Sequence, residues 1–142
     1  MLQLSASPPA NGGAMIKTHR KPTVLVVDDT VAVSTTLMWV LRDNGYNCTA
    51  VATRAEALQV CASVAPDLAL IELNLPDGSG VDTVRDLRRR VPGCRMLLMS
   101  SDLEAGDYMM HVPAGLDCGL LPKPIAVEEL LQRVKEALAQ PA

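Results

Sequence analysis

The sequence predicts an α/β protein built on a doubly wound, five-stranded parallel sheet, and three observations carry that expectation. Short apolar runs alternate with amphipathic segments along the chain, as strands and crossover helices do. Most of the runs are near-continuously apolar, the pattern of strands covered on both faces. Polar residues able to do chemistry follow the carboxyl ends of these runs, which is where an open parallel sheet forms its crevice.

The first 21 residues contain Ser5, Ser7, Pro8, Pro9, Asn11, Gly12 and Gly13 without periodicity, the composition of a flexible arm. Residues 22–142 are then expected to form one domain. The strand runs are Thr23 to Val27, Asn47 to Val51, Asp67 to Leu73, Arg95 to Met99 and Gly119 to Leu121. After the first, Val33, Leu37, Val40 and Leu41 make a helical stripe that stops at Gly45. Thr53 and Glu56 have capping-box spacing and open a second helix, expected to turn Ala55, Leu58 and Ala62 inward. Val81, Val84 and Leu87 mark a third helix, with Arg85, Arg88, Arg89 and Arg90 near its end. That Arg run reads as a solvated face favourable to the helix dipole. A fourth helix over Glu104 to Pro113 is expected to be short or partly loop, because it contains Gly106 and ends at Pro113. The last helix has the clearest stripe: Val127, Leu130, Leu131, Val134 and Leu138.

Composition excludes several classes of function. With 49% hydrophobic and 20% charged residues, the 142-residue chain has ample material for a core. Trp39, Tyr46 and Tyr108 are its only aromatic residues, too few for a base-stacking platform, and a net charge of −3 opposes binding to a polyanion. No nucleic-acid partner is expected. Cys48, Cys61, Cys94 and Cys118 are scattered singly, without metal or redox spacing, and read as small buried apolar residues in a reducing compartment. The start lacks a secretory signal, and no run approaches the ~18 apolar residues of a membrane span. A cytoplasmic protein without a membrane partner is expected. Trp39 projects away from the first helix's apolar stripe and should be substantially exposed.

At the carboxyl rim, the first strand runs into Asp28 and Asp29, the third ends at Glu72, the fourth at Ser100 and the fifth at Pro122, Lys123 and Pro124. Each has a plain alternative: an aspartate capping the next helix, a loop serine, a solvated lysine. Together they crowd like-charged carboxylates, which is costly unless a cation is present. Magnesium on oxygen ligands, with Lys123 as a second positive charge, would relieve that crowding.

These residues, in this order, resemble the receiver domain of two-component response regulators from about Thr23 to Ala139. Asp28 and Asp29 look like the family's metal-binding acidic pair, and Asn74 like the position whose carbonyl binds magnesium. Ser100 resembles the family's hydroxyl, and Lys123-Pro124 its lysine followed by a cis proline. The stretch Leu75-Pro76-Asp77-Gly78-Ser79-Gly80 resembles the loop after the phosphorylation site. The resemblance implies a flavodoxin-like sheet in order 2-1-3-4-5. It also implies partners that are a histidine kinase, a phosphotransfer protein or a downstream effector, with a homodimer left open.

The chain departs from the family at the residue that matters most. Where the family has a phosphoacceptor aspartate, this sequence has Glu72, and the family's switching aromatic falls on Leu120. One added methylene moves the carboxylate by up to ~1.5 Å. A misplacement of ~1 Å can cost ~100-fold in rate, so phosphotransfer to Glu72 is not expected. The same displacement carries its oxygens toward the place of a phosphoryl group, near Ser100 and Lys123. The expectation is a stand-alone, non-enzymatic signalling module that binds protein partners without phosphorylation. The alternatives are a silent relic, an Asp-to-Glu phosphomimetic engineered from an ordinary receiver, and a phosphohydrolase of the haloacid dehalogenase type. The last needs Asp-x-Asp, which the adjacent Asp28-Asp29 does not supply. A flavodoxin-like FMN carrier would need a hydroxyl-rich loop where the two aspartates stand.

Overall fold

The computed structural model of the chain describes residues 20–101, 113 and 115–140. The expected fourth helix, apart from Pro113, lies outside these residues, as does the expected arm apart from Arg20 and Lys21. In chain order the elements are β1 (Thr23–Val27), α1 (Val31–Asp43), β2 (Asn47–Val51), α2 (Arg54–Cys61), β3 (Leu68–Glu72), β4 (Asn74–Leu75), β5 (Gly78–Ser79), α3 (Gly80–Arg90), β6 (Arg95–Ser100), β7 (Gly119–Pro122) and α4 (Val127–Ala139). The two-residue strands β4 and β5 pair only with each other. The five longer strands form one parallel sheet in order β2-β1-β3-β6-β7, which is the expected 2-1-3-4-5 when β4 and β5 are set aside.

The period of two along each strand divides the core. Val24 and Val26 of β1, Leu68 and Leu70 of β3, and Leu97 and Met99 of β6 face Leu37 and Leu41 of α1 and Leu130, Val134 and Ala137 of α4. The alternate residues Leu25, Val27, Ala69, Ile71, Met96 and Leu98 face Ala57 and Cys61 of α2 and Val81, Val84 and Leu87 of α3. Every residue of β3 is buried because the strand is central and covered on both faces. At the opposite end of the sheet, Asp67 accepts from the Thr23 N–H at 2.8 Å and from Arg20 at 3.0 Å. Burial works against its charged form, but these bonds outweigh that and hold its carboxyl below the ordinary range.

Two expected faces are corrected. In α2 the buried residues are Ala57 and Cys61, while Ala55 and Ala62 are exposed and Leu58 is half-buried. The helix entry fixes its rotation. Thr53 Oγ1 accepts from the Glu56 N–H at 3.1 Å, and Asp77 takes the N–H groups of Arg54 and Ala55 at 2.8 and 3.0 Å, turning residue 55 outward. In α4, Val127 is 45% exposed because it opens the first turn, and Ala137 extends the buried stripe instead. Trp39 is 56% exposed, as its position on α1 required, with the Arg42 guanidinium 5.9 Å from its ring centre.

All four cysteines are buried free thiols. Burial pushes Cys48 and Cys118 up to about 11, Cys94 up to about 12, and Cys61 upward as well. Since the thiolate is the reactive species, native protein at neutral pH should react slowly with an aromatic disulfide reagent, and all four thiols quickly after unfolding in urea. Rapid titration of any of them in the native state would contradict this.

Candidate functional site

The sheet delivers its polar residues to one rim by strand register. Glu72 lies opposite Met99 across the β3/β6 pair, Ser100 opposite Pro122 across β6/β7, and Lys123 directly follows β7. Asp28 follows β1, where its N–H is held by the Val51 carbonyl at 3.0 Å. The Lys123 N–H donates to the Ser100 carbonyl at 2.9 Å, which ties the lysine to the end of β6, and the Lys123–Pro124 peptide is cis.

Asp28 and Ser100 are each 1% exposed and Glu72 is 7% exposed. Buried carboxylates require compensation, and Lys123 provides it. Its Nζ donates to Glu72 Oε1 at 2.5 Å and also to Asp28 Oδ2. The remaining oxygens are engaged by backbone: the Thr30 N–H donates to Asp28 Oδ1 at 2.9 Å, and the Asn74 N–H to Glu72 Oε2 at 3.1 Å. Burial alone would push the Lys123 ammonium down, but the hydrogen bonds and charges of Asp28 and Glu72 outweigh it and hold its pKa above the ordinary lysine value.

The loop after Glu72 is held by features that the sequence motif did not expose. Gly80 opens α3 with its N–H on the Leu73 carbonyl at 2.7 Å, and a Cβ there would stand 2.4 Å from the Glu72 carbonyl oxygen. No other residue lets the helix start so close to the strand end. Ser79 Oγ accepts from the Val81 N–H at 3.0 Å and caps α3. Asp77, at the tip between β4 and β5, ties the same loop to α2 through the bonds described above. The signal for Asp77 was present as an acid within a turn, but its target, the start of a helix 22 residues earlier, is a tertiary fact.

The structure therefore brings together Asp28, Glu72 and Lys123, with Ser100 on the neighbouring strand. Asp29 and Asn74 lie beside them and are exposed. Among the described residues, no three His, Cys, Asp or Glu side chains are grouped to hold a metal ion. The oxygen donors suited to magnesium are the carboxylates of Asp28 and Asp29 and the carbonyl of Asn74, hard ligands of the type that ion takes. Each oxygen of Asp28 accepts one hydrogen bond and retains lone-pair capacity, so this donor set fits the ion chemically. Leu120, where the family's aromatic would fall, is half-buried against the α2/α3 side of the core.

Residues 24–135 match the response regulator receiver domain family. The response regulator MprA of Mycolicibacterium vanbaalenii is 36% identical over 118 residues, covering 81% of this chain and 49% of that protein. The chain thus spans about half the length of the curated relatives it matches. Among solved structures, the CheY-like receiver domain protein of Methanospirillum hungatei superposes with a TM-score of 0.75 at 26% identity, covering 84% of this chain and 94% of that one. The chemotaxis response regulator CheY4 of Vibrio cholerae shares the fold, with a TM-score of 0.74 at 22% identity over 83% of this chain and 99% of that one.

Proposed function

The chain belongs to the response regulator receiver family of two-component signalling, and from that premise we propose that its receiver domain signals by binding a protein partner without being phosphorylated. One observation carries the proposal. The carboxylate at the end of β3 is a glutamate that already holds the Lys123 ammonium at 2.5 Å. In this reading Glu72 supplies the negative charge that a phosphoryl group would otherwise bring to Lys123, and Leu120 replaces the aromatic that would report the switch. The partner is a histidine kinase, a phosphotransfer protein or a downstream effector, and the exposed Trp39 is an anchor of the kind enriched at interfaces. No helix among the described residues is long and apolar enough to cross a membrane.

A ligand shifts a two-state equilibrium only by its differential affinity for the two states, so a fixed internal charge should leave the module near one conformation. The test follows the amide signals of Ser100 and Leu120. They should not move when acetyl phosphate and magnesium are added to the wild type. They should move in Glu72→Gln, which keeps the shape and removes the charge, and the partner should bind that variant more weakly. Identical signals and equal partner affinity for wild type, Glu72→Gln and Glu72→Ala would mark the site as a relic.

Receiver domains bind magnesium at this site, where the ion offsets carboxylate charge. In this chain Asp28, Asp29 and the Asn74 carbonyl would hold it, and Lys123 already offsets part of the charge. Binding should accordingly be weak. Magnesium in the millimolar range should perturb the amides of Asp29 and Asn74 in a saturable way, and no perturbation there would remove these residues as ligands.

A further inference from the structure

Arg85, Arg88 and Arg89 lie at helical spacing i, i+3 and i+4 on α3, so one face of the helix carries three guanidinium groups. Two grooves flank this ridge, and their chemistry differs. On one side Arg54, Arg85 and Arg89 meet Asp77, Asp82 and Asp86, a balanced set of charges. On the other, a groove of about 340 Å³ is lined, among the described residues, by Arg85, Arg88 and Arg89 together with Gly115 and Leu116, none of them a carboxylate. Leu116 is 5% exposed and gives the groove an apolar contact.

The geometry points to this second groove as a binding site for a small organic polyphosphate of about nucleotide size. Guanidinium groups present paired N–H donors that match phosphate oxygens, and three of them around one concavity can engage a diphosphate. They are also partly ordered in advance. Arg88 Nη2 donates to the Asp117 carbonyl across the groove, and Arg89 Nη2 donates to Asp86 Oδ1 on its far side. Each guanidinium has five N–H donors, so these bonds leave others for a ligand. Arg85 is 51% exposed at its side chain, with a long 3.6 Å contact to Asp82. The volume lies at the small end of the range for ligand pockets, roughly 300–1,000 Å³. A long polyanion is disfavoured because the whole chain carries −3. The carboxyl end of α3 repels an anion on its own, and Arg85 and Arg89 share their charge with Asp82 and Asp86, so the net attraction falls chiefly on Arg88, whose full charge exceeds the half charge of a helix end. The solvated-face expectation for the Arg run holds for Arg90, which does not line the groove.

Calorimetry at low ionic strength with ADP, pyrophosphate and adenosine tests the site. ADP and pyrophosphate should bind with one-to-one stoichiometry and adenosine should not. Arg85→Ala and Arg88→Ala should each weaken ADP by about tenfold or more, the loss expected for one charge-assisted contact, while Arg90→Ala leaves it within about twofold. If Arg88→Ala fails to fold, Arg85→Ala alone decides, since Arg85 is half-exposed and loses only its long contact to Asp82. The proposal is overturned by an absence of saturable binding at millimolar ADP, by adenosine binding as tightly as ADP, or by Arg90→Ala weakening ADP as much as Arg85→Ala does. The last outcome would reduce the groove to diffuse electrostatic attraction.

Discussion

Lys123→Ala should lower the unfolding free energy by about 3–5 kcal/mol, the cost of breaking a buried ion pair from one side. The lysine side chain is 10% exposed, and its partners Asp28 and Glu72 have side chains 0% and 10% exposed, so neither carboxylate can recover its hydration in place. Without the ammonium, two buried negative charges face each other, and the Thr30 and Asn74 N–H groups cannot replace the lost positive charge. Urea unfolding measures the loss. Adding Glu72→Gln to Lys123→Ala removes one of the stranded charges and should return part of the stability, and the non-additivity of the pair measures the coupling. A loss below about 1 kcal/mol, typical of an exposed pair, would mean that water reaches the site and that Glu72 is not held as described.

The pH dependence of this stabilisation has a definite sign. The Lys123 pKa is raised on folding, so its contribution is complete below the ordinary lysine value of 10.5 and is lost as pH climbs through the higher folded value. Wild-type stability should therefore fall more steeply above pH 10.5 than that of Lys123→Met, which has no proton to lose at that position.

The sheet was legible in the sequence because most strands are near-continuous apolar runs bounded by polar residues, and such runs survive small errors at their ends; β2, with Asn47 and Thr49 exposed, is the exception. The rim residues were legible for the same reason: Asp28, Glu72, Ser100 and Lys123 are the first polar positions after those runs or at their ends. What escaped was information carried by tertiary contacts. The inward face of α2 depends on Asp77 gripping the helix start, and nothing near Ala55 in sequence announces it. The place of Gly80 against the Glu72 carbonyl depends on where a helix and a strand meet. The arginine-lined groove shows the same limit. Helical spacing identified one charged face, but only the packing of Gly115 and Leu116 beside it distinguishes an open groove from a solvated surface.

Glu72→Asp should restore phosphorylation. With acetyl phosphate and magnesium, the wild type should remain unlabelled and the aspartate variant should take up one phosphoryl group, a difference of at least about 100-fold in rate. The reaction required is attack by a carboxylate oxygen on phosphorus with departure of acetate, and it needs the attacking oxygen, the metal and the compensating lysine in register. In the wild type the Glu72 carboxylate is extended by one methylene, pairs with Lys123 through Oε1 and accepts the Asn74 N–H through Oε2, so both oxygens are anchored to protein partners in that displaced position. Shortening the side chain withdraws the carboxylate by up to ~1.5 Å and separates it from the ammonium. That leaves Lys123 on Asp28, available to a phosphoryl oxygen. Labelling of the aspartate form alone would show that the rest of the machinery, Asp28, Ser100 and Lys123, is intact and that one methylene silences it. Equal labelling of both forms would show that the glutamate accepts phosphate after all. A folded aspartate variant that takes up none would place the defect elsewhere on the rim.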